Sequence, residues 1–527
     1  MHHNELIPNL SITEKDVKYI LINSHFDESY LNTKIAALFT ELVETYTGCV
    51  YDHENNKHIF SRHENHQIEI LLQSIHKSSS DVLNFSREPS ASVQILLLRK
   101  YDLCVDCDRI LKIIETQLRN IGNIFSAEQI DLILSSMPLV KMVSDNLIEQ
   151  APLSNFALIW RDHFLEENIA LLRAFETAGI HPEWIFTLSK GDYTFKCENI
   201  TAYFYDRGYS VDILDSGYDS QEREKMEIER VKRRLQEFIT NARSVGKKIL
   251  LIDDGGILYN CFSQDQKQID CAVEVTIIGV KRLRMLPHID VPVYDMGRSQ
   301  LKKIITYPEI AASGVNRVRE MIPAEKIRGQ RVLVLGYGTS GKHVARIFQS
   351  MGCQVSIVDI KIMPLIEAAE NGYRTFTSAQ DAIIHVKPFL VFGCSGEIAL
   401  SLEDYDALPN GCFVTANATK DLSVLRTPSL PYKVRAIPYF GYSYEKTNGD
   451  MFYQLGDGRS FNLFMSEAIP NKANDVFKAG IFLSALDIAT KYEKLPGGIY
   501  LNEVDEMIEK SGLLERYYSL YLEEKYS

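Results

Sequence analysis

The rhythm of apolar and polar positions changes three times along the chain. Over residues 1–150 apolar residues recur at spacings of three and four, most clearly from Tyr30 to Tyr46 and from Leu111 to Leu147, with no glycine-rich loop between them. That period predicts amphipathic helices, so 1–150 reads as a helical accessory domain. From about residue 151 short apolar runs alternate with helical patterns. FALIW (156–160) precedes a helical stretch near 164–178, and KKILLIDDGG (247–256) and VEVTIIG (273–279) read as further β-like runs. Strand and helix in alternation predict an α/β lobe with a parallel sheet over 151–320. The charged stretch Ser220 to Arg243 within it reads as a helix with a solvated face.

The second change comes near residue 321. RVLVLGYG (331–338) is a buried strand running into a glycine turn. A helical pattern follows from about Gly341 to Met351, then a second strand, QVSIVDI (354–360). PFLVFGCSG and CFVTANAT repeat the strand-then-turn theme, which predicts a second α/β domain over 321–465. Beyond 466 the pattern is helical again, and 501–527 is a Tyr- and Glu-rich helical tail.

Composition narrows the function classes. The 527 residues are 45% hydrophobic and 24% charged, enough for roughly three globular domains. A formal net charge of −13 argues against a nucleic-acid partner, which needs a basic footprint. No apolar run approaches the ~20 residues of a membrane span. MHHNELIPNL lacks the basic and apolar regions of a secretory signal, so a cytoplasmic location is expected. Nine scattered cysteines suit reduced thiols.

The stretch GYGTSGKH, Gly336 to His343, fits two phosphate-binding patterns. As G-x-x-x-x-G-K it resembles a P-loop, but His343 stands where the Mg²⁺-binding hydroxyl belongs. As G-x-G-x-x-G it is a dinucleotide fingerprint with Gly336, Gly338 and Gly341. It follows an apolar strand and opens a helix, which aims backbone N–H groups at a pyrophosphate. Asp359 ends the next strand, eighteen residues after Gly341, where a carboxylate accepts from a ribose diol and favours NAD over NADP. Lys361 nearby weakens that preference.

The residues from about 151 to 510 resemble the S-adenosyl-L-homocysteine hydrolase (adenosylhomocysteinase) family. VLVLGYGTSGKHVARIFQSMGCQVSIVDI resembles its NAD domain, LIDDGG (251–256) its LDDGG, and VEVTIIGV (273–280) its EETTTGV. DGRSFNL (457–463) resembles EGRLVNL, and LPGGIYL (495–501) a C-terminal PxGVxxL segment. The resemblance implies two Rossmann-like α/β lobes with parallel sheets, the chain returning over 466–500 to complete the ligand lobe. It implies bound NAD, a small-molecule ligand between the lobes, and a homo-oligomer. It implies that Asp254 is a catalytic carboxylate, that Thr276 and Asn462 contact NAD, and that Lys302, or its neighbour Lys303, is an active-site lysine.

The ligand side departs from the family. Val275 replaces a substrate-binding Glu, Thr306 and Tyr307 lie where the lysine's Asp partner belongs, and Thr419 replaces a catalytic His. Ala468 and Ile469 replace a GH pair, the early HMT is only echoed by His163, Phe164 and Leu165, and TLSKGDYT shows no family substrate loop. Lys525 and Tyr526 are weak stand-ins for the family's C-terminal Lys and Tyr.

Two readings therefore stand. One is NAD-dependent redox chemistry on a small hydroxylated or nucleoside-like ligand, with Asp254 and Lys302 as acid–base groups. The other is a non-catalytic NAD-binding regulator or scaffold whose residues 1–150 engage a partner that the sequence does not indicate. S-adenosylhomocysteine hydrolysis is a minor third, since each absent acid or base costs about 10²–10⁴-fold in rate. His63, His66 and Glu69 have metal-ligand spacing, with His53, His58 and His76 near, and Cys104 and Cys107 have redox spacing. A solvated polar segment and buried thiols are the simpler readings, and no metal is expected.

Overall fold

In the computed structural model, residues 17–24, 28–45, 49–54, 57–62, 67–74, 93–100, 114 and 125–523 are described, apart from 146, 193, 216–220, 428 and 467–468. They form two compact units: residues up to 126 with 198–206, and residues 127–197 with 207–527.

The first unit holds an antiparallel sheet of β1 (Val17–Ser24), β2 (Cys49–Glu54), β3 (Lys57–Arg62), β4 (Gln67–Ser74) and β5 (Val93–Lys100), in the order β1-β5-β4-β3-β2. The helix Glu28–Thr45 buries Ile35, Phe39 and Leu42, and Phe39 stacks on Phe60 with ring centroids 5.3 Å apart. The helix lies where the 30–46 spacing puts one, but the five strands correct the expectation that 1–150 is mainly helical. QIEILLQS and VQILLLRK are short apolar runs that fit either period, and only strand pairing decides between them.

Helices Ala127–Ser135 and Pro138–Asp145 lie in the region read as helical, yet they belong to the second unit. The reason is local: Asp475 accepts the N–H groups of Leu139 and Val140 at 2.9 and 3.0 Å, capping the second helix from a distant one.

The second unit contains two doubly wound sheets. The first has β6 (Phe156–Asp162), β7 (Ile185–Ser189), β8 (Ser210–Ile213), β9 (Lys248–Asp253), β10 (Cys271–Glu274) and β11 (Pro292–Asp295), with β20 (Gly498–Tyr500) added at its edge. Its order is β20-β11-β10-β9-β6-β7-β8, and every pairing is parallel. The second sheet is ordered β14-β13-β12-β15-β16-β19-β18-β17 from β12 (Arg331–Leu335), β13 (Gln354–Val358), β14 (Arg374–Phe376), β15 (Leu390–Gly393), β16 (Cys412–Ala416), β17 (Lys433–Ile437), β18 (Gly441–Glu445) and β19 (Met451–Leu455). Its first six positions pair in parallel and β17–β18 close one edge as an antiparallel hairpin.

In both sheets the winding reverses between two central strands, β6 and β9 in one, β12 and β15 in the other. Ligands bind outside the carboxyl ends of the strands at such reversals, because diverging loops leave a crevice there. The run VEVTIIG is not a single strand. It ends as β10 at Glu274, and Thr276 Oγ1 accepts the Gly279 N–H at 3.0 Å to start the helix Ile277–Leu283. The charged stretch forms the helix Gln221–Ser244, whose inner face buries Val231, Leu235, Phe238, Ile239 and Ala242 in the core of the first lobe.

Candidate functional site

A cleft of about 930 Å³ runs between the carboxyl ends of the two sheets. One end is the glycine turn. Gly336 adopts φ +91°, and a Cβ there would lie 2.9 Å from Ser395 Cα. A Cβ on Gly341 would lie 1.9 Å from the Gly336 carbonyl oxygen, so this glycine lets the helix Thr339–Ser350 close onto the turn. Gly338 has no neighbour within 4 Å of its Cβ position, leaving its backbone open to the cleft. Asp359 accepts N–H groups of Tyr337 at 2.8 Å and Lys361 at 2.9 Å, which fixes its carboxylate at the cleft wall. These are the three glycine roles and the acidic strand end of a dinucleotide site, and they fit NAD.

Residues 309–468 match the family model of the S-adenosyl-L-homocysteine hydrolase NAD binding domain. Over its second half the chain is similar to adenosylhomocysteinases. Its cofactor is NAD. Adenosylhomocysteinase of Gloeothece citriformis (strain PCC 7424) is 25% identical over 276 residues, covering 50% of this chain and 63% of the relative. That of Aeropyrum pernix is 25% identical over 274 residues, covering 49% and 64%. The matched region thus spans less than two thirds of these relatives' length. Among solved structures, dipicolinate synthase from Bacillus subtilis overlaps 65% of this chain and 99% of its own, with 11% identity and a TM-score of 0.31.

The other end of the cleft is a cluster of charges on strand ends. Asp162 and His163 leave β6, Lys190 and Asp192 follow β7, and Asp253 and Asp254 end β9. His163 Nδ1 hydrogen-bonds Asp192 Oδ2, and His163 Nε2 faces Asp254 Oδ2 at 3.9 Å. Lys190 Nζ donates to Asp254 Oδ1 at 2.7 Å, and Lys478 Nζ to Asp162 Oδ2 at 2.5 Å. Burial pushes the Asp254 carboxyl up, but Lys190, His163 and Lys302 outweigh it and hold Asp254 well below the usual carboxylate range. Asp192 is likewise held low against its own burial by His163, Lys190 and Arg459.

Behind them, Asp253 accepts N–H groups of Gly256, Ile257 and Leu258 at 2.8–3.0 Å and so shapes the turn. Glu274, fully buried, is pushed well up by its burial and by Asp253 and Asp254, which favours its neutral acid. Asp162, His163 and Asp254 bring one ligand atom each within 4.8 Å. Two lysine ammonium groups already hold the two carboxylates, so the cluster suits proton transfer better than a divalent ion.

The cofactor and acid–base candidates read from the sequence lie at the cleft. Gly336, Gly338, Asp359, Thr276, Asn462, Asp254 and Lys302 line the cleft, while Gly341 lies just behind the turn. Lys302 rather than Lys303 lines it, on the short π-helical turn Lys302–Thr306, with Nζ donating to the Val275 carbonyl. Thr276 hydroxyl donates to Glu274 Oε1 at 2.6 Å, and Thr419 pairs with the Ser460 hydroxyl at 3.1 Å. Sequence reasoning missed Asp162, Lys190, Asp192 and Lys478 and left His163 as an echo. All of these but Lys478 follow or end apolar runs, a signal that could have found them; Lys478, inside the helix Asn471–Lys491, gave none. His63, His66, His76, Cys104, Cys107, Ala468, Lys525 and Tyr526 lie outside the described residues, as does the side chain of Glu69.

Proposed function

We propose that this chain is an NAD-dependent oxidoreductase acting on the hydroxyl of a small molecule held in the cleft, with His163 as the proton acceptor. The observation that carries the reading is His163, which lines the same cleft as the glycine turn and is held at the carboxyl ends of β6 and β7 by the buried carboxylate of Asp192. Gly336, Gly338 and Asp359 would hold the cofactor's phosphates and ribose, with Asn462 and Thr276 further along the cleft. NAD supplies hydride acceptance from a carbinol carbon.

The protein's own part is proton transfer and charge. Asp192 holds the His163 ring through Nδ1, which turns Nε2 toward the cleft and Asp254. When Nε2 takes a hydroxyl proton, the ionised Asp254 stabilises the imidazolium across 3.9 Å. Asp254, held low by its lysine, is thereby an electrostatic anchor more than a proton acceptor.

Thr419 supports oxidoreduction over hydrolysis. Elimination and hydration need further acid–base groups, and a threonine pairing with Ser460 supplies none at that position. The test is to add hydroxylated acids, polyols, nucleosides and S-adenosylhomocysteine to NAD-loaded protein and follow reduced nicotinamide absorbance. Homocysteine release without other turnover would overturn the reading in favour of hydrolysis. Oxidised NAD throughout, with every compound, would leave the regulator reading.

A further inference from the structure

We propose that the ligand end of the cleft is built for a small hydroxylated oxyanion, with Lys302 and Thr306 as its anion-binding residues. This rests on the oxidoreductase reading and narrows its substrate class.

Arg161, Lys190, Lys302 and Lys478 line this end, against the carboxylates of Asp162 and Asp254. Lys190 and Lys478 are neutralised by Asp254 and Asp162 at 2.7 and 2.5 Å. Arg161 donates to the carbonyls of Asp254 at 2.5 Å and Leu214 at 3.2 Å. Lys302 is different. Its side chain is buried, it forms no ion pair among the described residues, and its Nζ donates to one neutral acceptor, the Val275 carbonyl. Asp254, Asp162 and Glu274 attract it from beyond ion-pair distance; the first two already hold lysines, and Glu274 is pushed toward its neutral form. The faces of Phe477 and Tyr307, 4.7 and 5.4 Å from Nζ, offset part of the charge but accept no strong hydrogen bond.

A buried ammonium with spare donors and no carboxylate within hydrogen-bonding reach is costly unless a ligand completes it. Two further polar atoms point to that ligand. Thr306 Oγ1, four residues on, is buried with no hydrogen-bond partner among the described residues. So is Asn417 Oδ1, contributed by the other lobe beyond β16. Both residues line the cleft. An oxyanion can accept from Lys302 and Thr306 together, and a hydroxyl on the same molecule can donate to Asn417 or His163. A neutral nucleoside offers the spare Lys302 donors no negative oxygen.

A carboxylate and a phosphate share this chemistry, and the experiment separates them. NAD-loaded full-length protein is titrated calorimetrically with glycerate, glycerol phosphate, glycerol and adenosine. At least one anion should bind ten times more tightly than glycerol or adenosine, and the tighter anion identifies the group. Thr306→Val, nearly isosteric, should weaken that anion several-fold, and Lys302→Gln at least tenfold, with NAD content unchanged. Burial lowers Lys302 to about 8, so anion affinity should fall as pH rises through that value.

Adenosine or glycerol binding as tightly as both anions would overturn the proposal. So would silence with all four probes, or unchanged anion affinity in Thr306→Val, which stands even if Lys302→Gln fails to fold. Binding is read without turnover, and reduced cofactor in the same samples reports separately on the oxidoreductase reading.

Discussion

His163 and Asp192, 29 residues apart, are joined by a hydrogen bond from imidazole Nδ1 to a carboxylate oxygen. Adjacent parallel strands make the contact: β6 and β7 pair in register as far as Asp162↔Ser189, and the two residues lie just past their ends. Asp192→Asn keeps the shape and removes the charge that orients the ring. Cofactor reduction should slow by about 10²–10⁴-fold while NAD content and circular dichroism stay unchanged. Single-turnover reduction at an unchanged rate would show that the pair moves no proton.

The glycines of the cofactor turn should separate folding from binding. A methyl on Gly341 meets the Gly336 carbonyl at 1.9 Å, so Gly341→Ala should force the helix off the turn and lower the melting temperature. Gly338→Ala meets nothing within 4 Å and should melt as the parent does. It should nevertheless lose NAD, because the second glycine of this turn admits the pyrophosphate against the backbone. Parent-like NAD content in purified Gly338→Ala would place the phosphates elsewhere.

Arg459 and Asp215 tie the two lobes. Arg459 Nε donates to Asp215 Oδ1 at 3.3 Å and its Nη2 to Oδ2, while Nη1 holds Asp457 at 2.8 Å. Asp215→Ala should cost about 1–3 kcal/mol, as loss of a half-buried charged hydrogen bond does. It should also loosen the segment leading to Ser460 and Asn462. Denaturant titration gives the first effect and the rate of NAD release the second; no change in either would mean that solvent screens the pair.

In the first unit, His58 should make stability depend on pH. Its ring is buried, with Nδ1 against the Tyr51 hydroxyl at 2.9 Å and Nε2 against Asn32 Oδ1 at 2.8 Å. Burial first, and His53 second, lower it from 6.5 to about 4. Between these values the unfolded chain takes up a proton that the folded one refuses. The stabilisation is therefore whole above about pH 6.5 and drains away as pH falls toward about 4. Melting followed by a probe in this unit should show the decline in the parent and a flatter profile in His58→Gln. Parallel profiles would assign the pH dependence to other groups.

The cofactor half of the cleft was legible from the chain because its residues are close in sequence. Gly336, Gly338, Gly341 and Asp359 act through backbone geometry that a strand, a turn and a helix impose locally. The ligand half was legible only in fragments. Asp254 and Lys302 were readable by resemblance. Asp192 was not, since the loop that carries it matches no familiar pattern, and Lys478 looked like any helix lysine. The strands at 67–74 and 93–100 were missed because short apolar runs suit two periods equally.

The sequence by itself determined the two α/β lobes, the glycine turn and NAD as its ligand, all consequences of hydrophobic period and local backbone demands. Only the tertiary structure decided which charges meet. It set Asp192 on His163, Lys190 on Asp254 and Lys478 on Asp162, and left Lys302 with a single carbonyl. Charge pairing depends on distances of a few ångströms between strand ends that the order of the sheet brings together, and strand order is a property of the whole packed core.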